Sequence, residues 1–370
     1  MKVITVVGTR PEIIKLSRVI TTLDRNVDHI FIHSGQNYDY NLNQIFFNDM
    51  EIRKPDYTFN IGKRETPISA IAETMTNLDE VFACEKPDSM LILGDTNSCF
   101  AAAYTAKRRK IPIFHMEAGN RCFDQRVPEE INRVTIDHIS DINLPYSSIA
   151  RECLIREGLP TDRVIKTGSP MQEVLSFYQK KIESSSVLTE LKLKKKEFFL
   201  VSCHREENID CSEKFKAFIT LLEKLVEKYN QRVIVSTHPR TKQKLTLEKI
   251  AVSPKIDFME PFGFLDYAKL QMNARVVLSD SGTITEESSI LDFPALNLRE
   301  SHERHEGMEE GAVILTGFNI ENILVCIDLL DRQIGMEPVT DYCVHNVSEK
   351  VVRIILSYTD YINRTVWKKY

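Results

Sequence analysis

The chain has 370 residues, of which 42% are hydrophobic and 27% charged, with a formal net charge of −5; that length exceeds one ordinary core and fits two domains of typical size. The mild acidity, with a pI near 6.1, excludes a nucleic-acid scaffold held by bulk electrostatics, so any anion binding must rest on local basic groups. No apolar run approaches the roughly 18 residues a bilayer span requires, and the opening segment Val3–Val7 has the pattern of a strand rather than a signal peptide, so a cytosolic protein is expected.

Short apolar segments alternate along the chain with longer amphipathic ones. In the first half the predicted strands are Val3–Val7, His29–His33, Ser89–Leu93 and Ile113–Met116; a second series runs through Phe198–Ser202, Arg232–Ser236, Ile256–Met259, Arg275–Ser279 and Ala295–Leu298. Strands separated by helical patterns specify a parallel sheet covered on both faces, so the expected class is α/β with two doubly wound, Rossmann-like domains. Between the series, Met171, Val174, Leu175, Tyr178 and Ile182 fall at helical spacing after Thr167-Gly-Ser-Pro170, and the boundary is placed near residues 170–195. The expected domains are 1–170 and 171–370, facing each other across a cleft, with the C-terminal helix a candidate to pack back on the first. The eight cysteines form no C-x-x-C pair and read as reduced packing thiols.

Met90-Leu-Ile-Leu-Gly-Asp-Thr-Asn-Ser98, Phe114-His-Met-Glu-Ala-Gly-Asn-Arg121 and Arg126-Val-Pro-Glu-Glu-Ile-Asn-Arg133 read as two strand ends and a helix start. Ligands of open α/β sheets bind at the carboxyl ends of the strands. Delivery of Asp95, Glu117, Glu129 and Arg133 to that end points to acid–base chemistry. The plainer alternative makes Asp95 a helix cap and Glu129 with Arg133 an i,i+4 surface pair. It strains at Glu117, a charge emerging directly from an apolar strand.

Other segments suit a nucleotide diphosphate. Gly8-Thr-Arg-Pro-Glu-Ile-Ile-Lys15 follows the first strand: Gly8 permits a tight turn, Pro11 suits a first helical turn, and Arg10 and Lys15 add charge to the N–H groups of a helix start. It is neither G-x-G-x-x-G nor a P-loop, so NAD and ATP are not implied. Ser281-Gly-Thr283 repeats the arrangement before Glu286 and Glu287, pairing phosphate donors with a carboxylate placed for ribose hydroxyls; a plain capped helix is the alternative. His204, in His204-Arg-Glu-Glu-Asn208, ends the first strand of the second series, as a structural residue or a catalyst. Arg299-Glu-Ser-His-Glu-Arg-His-Glu-Gly307 lacks H-E-x-x-H, and its arginines oppose a cation, so it reads as a phosphate-facing or partner-facing loop rather than a metal site.

Gly8-Thr-Arg-Pro-Glu, Gly94-Asp-Thr, His115-Met-Glu-Ala-Gly, Pro128-Glu-Glu-Ile-Asn-Arg, His204-Arg-Glu-Glu-Asn, Asp280-Ser-Gly and Glu286-Glu287 occur in this order along the chain. In this the sequence resembles the non-hydrolysing UDP-N-acetylglucosamine 2-epimerase family. The resemblance implies a GT-B architecture and a homodimer acting on a UDP-amino sugar without metal, NAD or other cofactor, nucleic acid or membrane. It also implies a reaction in which a carboxylate removes the C2 proton while UDP leaves C1, giving 2-acetamidoglucal, followed by re-addition of UDP with protonation of C2 from the other face. By position, Asp95, Glu117 and Glu129 match the family's acid–base carboxylates, with base and acid unassigned, and Arg133 and His204 match its supporting cation and phosphate-side histidine. Arg10, Lys15, Ser281, Gly282, Thr283, Glu287 and Arg304 match its nucleotide contacts, with Phe262 and Tyr267 near the base.

The sequence departs from better-known members in the shorter stretch Cys122–Pro128 and in Phe262 and Thr283, where Gln and Gly are common. Asn120-Arg-Cys-Phe-Asp-Gln-Arg-Val127 resembles the capsule and O-antigen branch, whose substrates are 6-deoxy or diacetamido-uronic nucleotide sugars; the loop Arg121–Arg126 is accordingly expected to line the sugar side of the site. Gln36, Arg64, Arg205 and His238 lie near the positions of a regulatory UDP-N-acetylglucosamine pocket found in some members, but Asn37-Tyr-Asp-Tyr40 differs, and allostery stays open. A GT-B glycosyltransferase is the alternative enzyme, separable by its need for an acceptor. A non-catalytic nucleotide-sugar sensor would tolerate loss of the three carboxylates.

Overall fold

The computed structural model describes residues 1–36, 47, 50–61, 66–203, 212–237, 245, 251–333, 335 and 337–369. The chain divides into two units, Met1–Ser176 with Thr340–Tyr370, and Phe177–Val339. The division falls inside the helix Met171–Ser184.

In the first unit, β1 (Lys2–Val7), β2 (Asp28–His33), β3 (Tyr57–Thr58), β4 (Ser89–Leu93), β5 (Ile113–Met116) and β6 (Ile142–Leu144) form one sheet in the order β3-β2-β1-β4-β5-β6, and every pairing is parallel. The strands read as continuous apolar runs because both faces are covered, the normal state of a parallel sheet. Ile4, Val6, Ile32, Met90 and Ile92 pack with Leu78 and Phe82 and with Cys99, Ala102, Ala103 and Ala106, side chains of the helices Pro67–Glu85 and Asn97–Arg108. The small alanines let the second of these helices lie close against both the first and Pro128–Ile139.

The second unit repeats the plan. Its strands β7 (Phe198–Ser202), β8 (Arg232–Ser236), β9 (Ile256–Met259), β10 (Val277–Ser279), β11 (Ala295–Asn297) and β12 (Ile314–Leu315) are ordered β12-β11-β10-β7-β8-β9, again all parallel. Counted from each unit's own first strand, both sheets read 3-2-1-4-5-6, the doubly wound order. The winding direction reverses at β1/β4 and at β7/β10, and such switch points open a crevice for ligands at the carboxyl ends of the strands. The expected strands are present, β10 and β11 being shorter than read. The strands β3, β6 and β12, of two or three residues, were not anticipated; β10 and β11 were, because Val276 and Leu298 lengthen their apolar runs.

The structure groups Thr340–Tyr370 with the first unit, whereas the range read from the sequence left them in a second domain of 171–370. The helix Val347–Thr365 buries Val351, Val352, Ile355 and Ile362 and packs on the helix Arg10–Asn26, which supplies the apolar face that its own stripe requires. Lys350 Nζ donates to the Thr167 carbonyl at 2.6 Å, and the Tyr361 hydroxyl to Asp162 at 2.5 Å. Among the described residues no helix is long and apolar enough to cross a membrane. Truncating fully buried Ile355 to alanine is expected to destabilise the first unit by about 2–5 kcal/mol. Urea denaturation followed by circular dichroism checks this, and an unchanged midpoint would detach the terminal helix from that core.

Candidate active site

The switch point of the first unit is built from the turns that follow β1, β4 and β5. After β1, Gly8 has no room for a side chain, since a Cβ there would lie 2.4 Å from Ser98 Oγ and 2.6 Å from Ser34 Oγ. Arg10 then opens the helix Arg10–Asn26, with Pro11 in its first turn. Glu12, buried, accepts from the Gly8 and Thr9 amides at 2.8 and 2.6 Å through Oε2, and from the Thr96 hydroxyl and Cys99 thiol, both at 2.9 Å, through Oε1. One carboxylate thus ties the turn after β1 to the turn after β4. Burial pushes its carboxyl above the usual range, against the pull of these hydrogen bonds.

Asp95 follows β4 and Gly94, whose φ of +82° is in the left-handed region that favours glycine. Arg133 Nη2 and Nε donate to Asp95 Oδ2 at 2.6 and 2.9 Å, and its Nη1 donates to Glu130 Oε2 at 2.9 Å. Asn132 Nδ2 donates to the Asp95 carbonyl at 3.0 Å. Glu117 follows β5 with φ +66°, a conformation that non-glycine residues adopt rarely and mostly where surrounding contacts enforce it. Its Oε2 accepts from the buried Lys15 Nζ at 2.5 Å. Because Leu93 and Met116 are register partners on adjacent strands, Asp95 and Glu117 leave neighbouring strand ends.

The structure therefore places two carboxylates side by side, each with its own cation. Lys15, matched from the sequence to the nucleotide contacts, is here engaged with Glu117. Glu129 is half-buried in the first turn of the helix Pro128–Ile139. The i,i+4 pair with Arg133 that the plainer alternative offered is not formed, because Arg133 is held by Asp95 and Glu130.

The stretch after Glu117 is braced from below. Arg121, expected on the sugar side, is buried and donates to Asp137 at 2.6 Å and to Glu157 at 2.8 and 2.7 Å. Glu130 accepts from the Cys122 and Phe123 amides at 3.0 and 2.9 Å. Arg126, by contrast, is exposed and paired with Asp124.

In the second unit, Ser281, Gly282 and Thr283 lead from β10 into the helix Ile284–Leu291. The Ser281 and Thr283 hydroxyls are 2.9 Å apart, and the Thr283 amide donates to Ser281 Oγ at 3.3 Å. A Cβ on Gly282 would meet Glu303 Oε1 at 2.3 Å, and Glu303 in turn pairs with Arg299 at 2.7 Å. Arg304, matched to the nucleotide contacts, is buried; its Nε donates to the Gly282 carbonyl at 2.8 Å and its Nη2 lies 3.0 Å from Glu286. It braces the turn from behind. Glu287 accepts from Gln271 Nε2 at 2.6 Å. Phe262 and Tyr267 pack against the same core cluster, and burial, with Glu287 and Asp280 nearby, raises the Tyr267 phenol. The Ser281 amide donates to Ser279 Oγ at 3.0 Å, and the carboxylate of Glu287 follows one turn further on.

His204, Arg64, Arg205, His238 and Asn37-Tyr-Asp-Tyr40 lie outside the described residues. Gln36 is described, and its Oε1 accepts from the Ser98 amide and hydroxyl at 3.2 and 2.7 Å. Among the described residues no group of His, Cys, Asp and Glu could hold a metal ion. Sequence reasoning passed over Glu12, Glu130 and Asp137. The Thr9-x-x-Glu12 spacing of a capping box, and the stripe Glu130, Arg133, Asp137 on one helix face, were the available signals.

The model of the family described as UDP-N-acetylglucosamine 2-epimerase matches residues 21–356. The UDP-N-acetylglucosamine 2-epimerase of Methanocaldococcus jannaschii is 36% identical over 89% of this chain and 92% of its own. The UDP-2,3-diacetamido-2,3-dideoxy-D-glucuronate 2-epimerase of Pseudomonas aeruginosa is 31% identical over 86% and 88%. Among solved structures, the UDP-N-acetylglucosamine 2-epimerase of Rickettsia bellii superposes with a TM-score of 0.92 at 50% identity, covering 100% of both chains. The M. jannaschii enzyme in complex with UDP-GlcNAc and UDP superposes with a TM-score of 0.90 at 35% identity, covering 96% of this chain and 100% of that one. Acinetobacter baumannii MurG, 12% identical with a TM-score of 0.54 over 96% and 99%, shares the GT-B fold alone. With the family model spanning most of the chain and these relatives aligned along nearly all of it, the chain belongs to the UDP-N-acetylglucosamine 2-epimerase family and is an epimerase.

Proposed function

We propose that the chain epimerises a UDP-N-acetyl amino sugar at C2 without hydrolysis, by elimination and re-addition of UDP. The supporting observation is the pair of carboxylates on adjacent strand ends, Asp95 held by Arg133 and Glu117 held by Lys15. Inverting a carbon requires a proton taken from one face and returned on the other, and two fixed carboxylates at one strand-end crevice suit that task. In the forward step a carboxylate takes the C2 proton. The C2–H electrons form the C1–C2 double bond, and the C1–O bond breaks with its pair going to the β-phosphate of UDP. Re-addition reverses each movement, with the proton delivered to the opposite face.

In this reading Asp95, Glu117 and Glu129 are the acid–base set. Arg10, Ser281, Gly282 and Thr283 meet the diphosphate of UDP, with His204 on the phosphate side. Glu287 meets the ribose, and Phe262 and Tyr267 lie near the base. Arg304 and Lys15 serve as braces for these groups. The departing diphosphate gains charge, and preorganised amide and hydroxyl donors stabilise such charge without reorganisation. The substrate is UDP-N-acetylglucosamine, its C2 epimer, or a 6-deoxy or 3-acetamido derivative, as the diacetamido-uronate epimerase relative supports. A cytosolic homodimer serving surface polysaccharide synthesis belongs to the same proposal.

Turnover of UDP-amino sugars in heavy water is expected to place deuterium at C2 of the product, read by NMR; retention of the original hydrogen contradicts elimination. Glu117→Gln is expected to lower kcat by about 100-fold or more while UDP affinity by calorimetry is nearly kept. Glu287→Ala should weaken UDP binding instead, and the reverse pattern in these two variants would overturn the assignment of roles.

A further inference from the structure

The helix Pro128–Ile139 turns a charged stripe inward. Glu130, Arg133 and Asp137, at spacing i, i+3, i+7, are 4%, 4% and 0% exposed. Buried charges persist only when paired and hydrogen-bonded. Glu130 and Arg133 are accounted for by the loop amides and Asp95. Asp137 meets no group that the proposed chemistry uses.

Its partners reveal what it joins. Asp137 Oδ2 accepts from the Gly119 amide at 3.1 Å and from Arg121 Nη1 at 2.6 Å, both on the turn that carries Glu117. Its Oδ1 lies 2.8 Å from His115 Nδ1, a close contact outside ideal hydrogen-bond alignment. The other ring nitrogen, His115 Nε2, donates to the Gly94 carbonyl at 2.8 Å, directly before Asp95. A continuous path therefore runs from the Glu117 turn through Asp137 and His115 to the Asp95 turn. The path has little slack: Gly119 has φ +85°, and a Cβ there would meet the Ala150 carbonyl oxygen at 2.3 Å. His115 is 1% exposed, so neither residue is placed to meet a substrate.

We propose that Asp137, acting through His115, is a positioning residue that sets the separation of the Asp95 and Glu117 carboxylates, and with it the face from which C2 is reprotonated. The inference rests on the elimination reading given above. Two proton-transfer groups serving one carbon must both lie within hydrogen-bond reach of it, and a shift of about 1 Å can cost on the order of 100-fold in rate. A brace buried under both turns fixes that geometry before any ligand arrives.

The test compares the wild type with Asp137→Asn and His115→Asn in heavy water. It records kcat, KM, and the ratio of C2 deuterium in recovered starting epimer to that in product at early conversion. Asparagine at 115 keeps a polar amide near the position of Nδ1, and Asp137 keeps its ion pair with Arg121, while the link to Gly94 is lost. Both variants should lose about 10- to 100-fold in kcat, with KM nearly unchanged and the deuterium ratio displaced from its wild-type value. A merely structural role would lower the active fraction without moving that ratio, because the ratio is set in each turnover whatever fraction of the protein is folded. A wild-type ratio in both variants overturns the positioning role. Absence of C2 deuterium in the wild type overturns the elimination reading instead, so the two failures are distinguishable.

Discussion

A carboxylate or ammonium removed from water must be met by an opposite charge and enough hydrogen bonds, or it does not stay ionised. At the carboxyl ends of β1, β4 and β5 this requirement organises the first unit. Glu12 ties the first turn to the second through neutral donors, with its carboxyl raised by burial, while Arg133 binds the helix Pro128–Ile139 to Asp95 and Lys15 binds the helix Arg10–Asn26 to Glu117. Asp137 and Arg121 do the same under the turn that follows β5. Removing one partner of such a pair leaves an uncompensated charge and typically costs about 3–5 kcal/mol, so the turns are held where these pairs put them. Rigidity of this kind is what acid–base chemistry on a weakly acidic C–H bond needs.

The second unit uses the same device for a different end. Its turn Ser281–Thr283 is clamped from behind by Arg304, which holds the Gly282 carbonyl and Glu286, and by the Arg299–Glu303 pair packed against Gly282. Within the turn the Ser281 and Thr283 hydroxyls meet each other and the Thr283 amide donates to Ser281 Oγ, so the local geometry is held from inside as well as from behind. The doubly wound order, shared by both units, puts each turn at a switch point. The residues that fill these strand-end turns differ between the units, Asp95 and Glu117 in one and Ser281 and Thr283 in the other.

The long strands were legible because parallel strands covered on both faces are unbroken apolar runs, as in Ser89–Leu93 and Phe198–Ser202, and the α/β class follows from their alternation with helices. The short strands β3, β6 and β12 were not, whereas β10 and β11, of three residues each, were read because Val276 and Leu298 lengthen their apolar runs. The terminal helix is, from the sequence, a candidate to pack back on the first unit, with which the structure groups Thr340–Tyr370, but the expected domain range does not follow it, because an amphipathic helix states that it needs a partner, not which one. At the site, Asp95 and Glu117 could be singled out because a charge just after an apolar strand is conspicuous. The pairings could not. Lys15, Arg121 and Arg304 read as cations facing an anion or the sugar, yet each meets a carboxylate remote in sequence, and charge type alone does not distinguish a ligand contact from a brace.

That distinction is sharpest at Lys15, and a double-mutant cycle resolves it. Single-turnover rates of Lys15→Met, Glu117→Gln and the double variant give the coupling between the two side chains. If Lys15 acts by holding Glu117, adding Lys15→Met to Glu117→Gln costs little more, and the double variant is about as slow as the slower single one. If the two losses multiply, Lys15 serves the nucleotide independently, and the account of a cation-braced carboxylate pair is wrong.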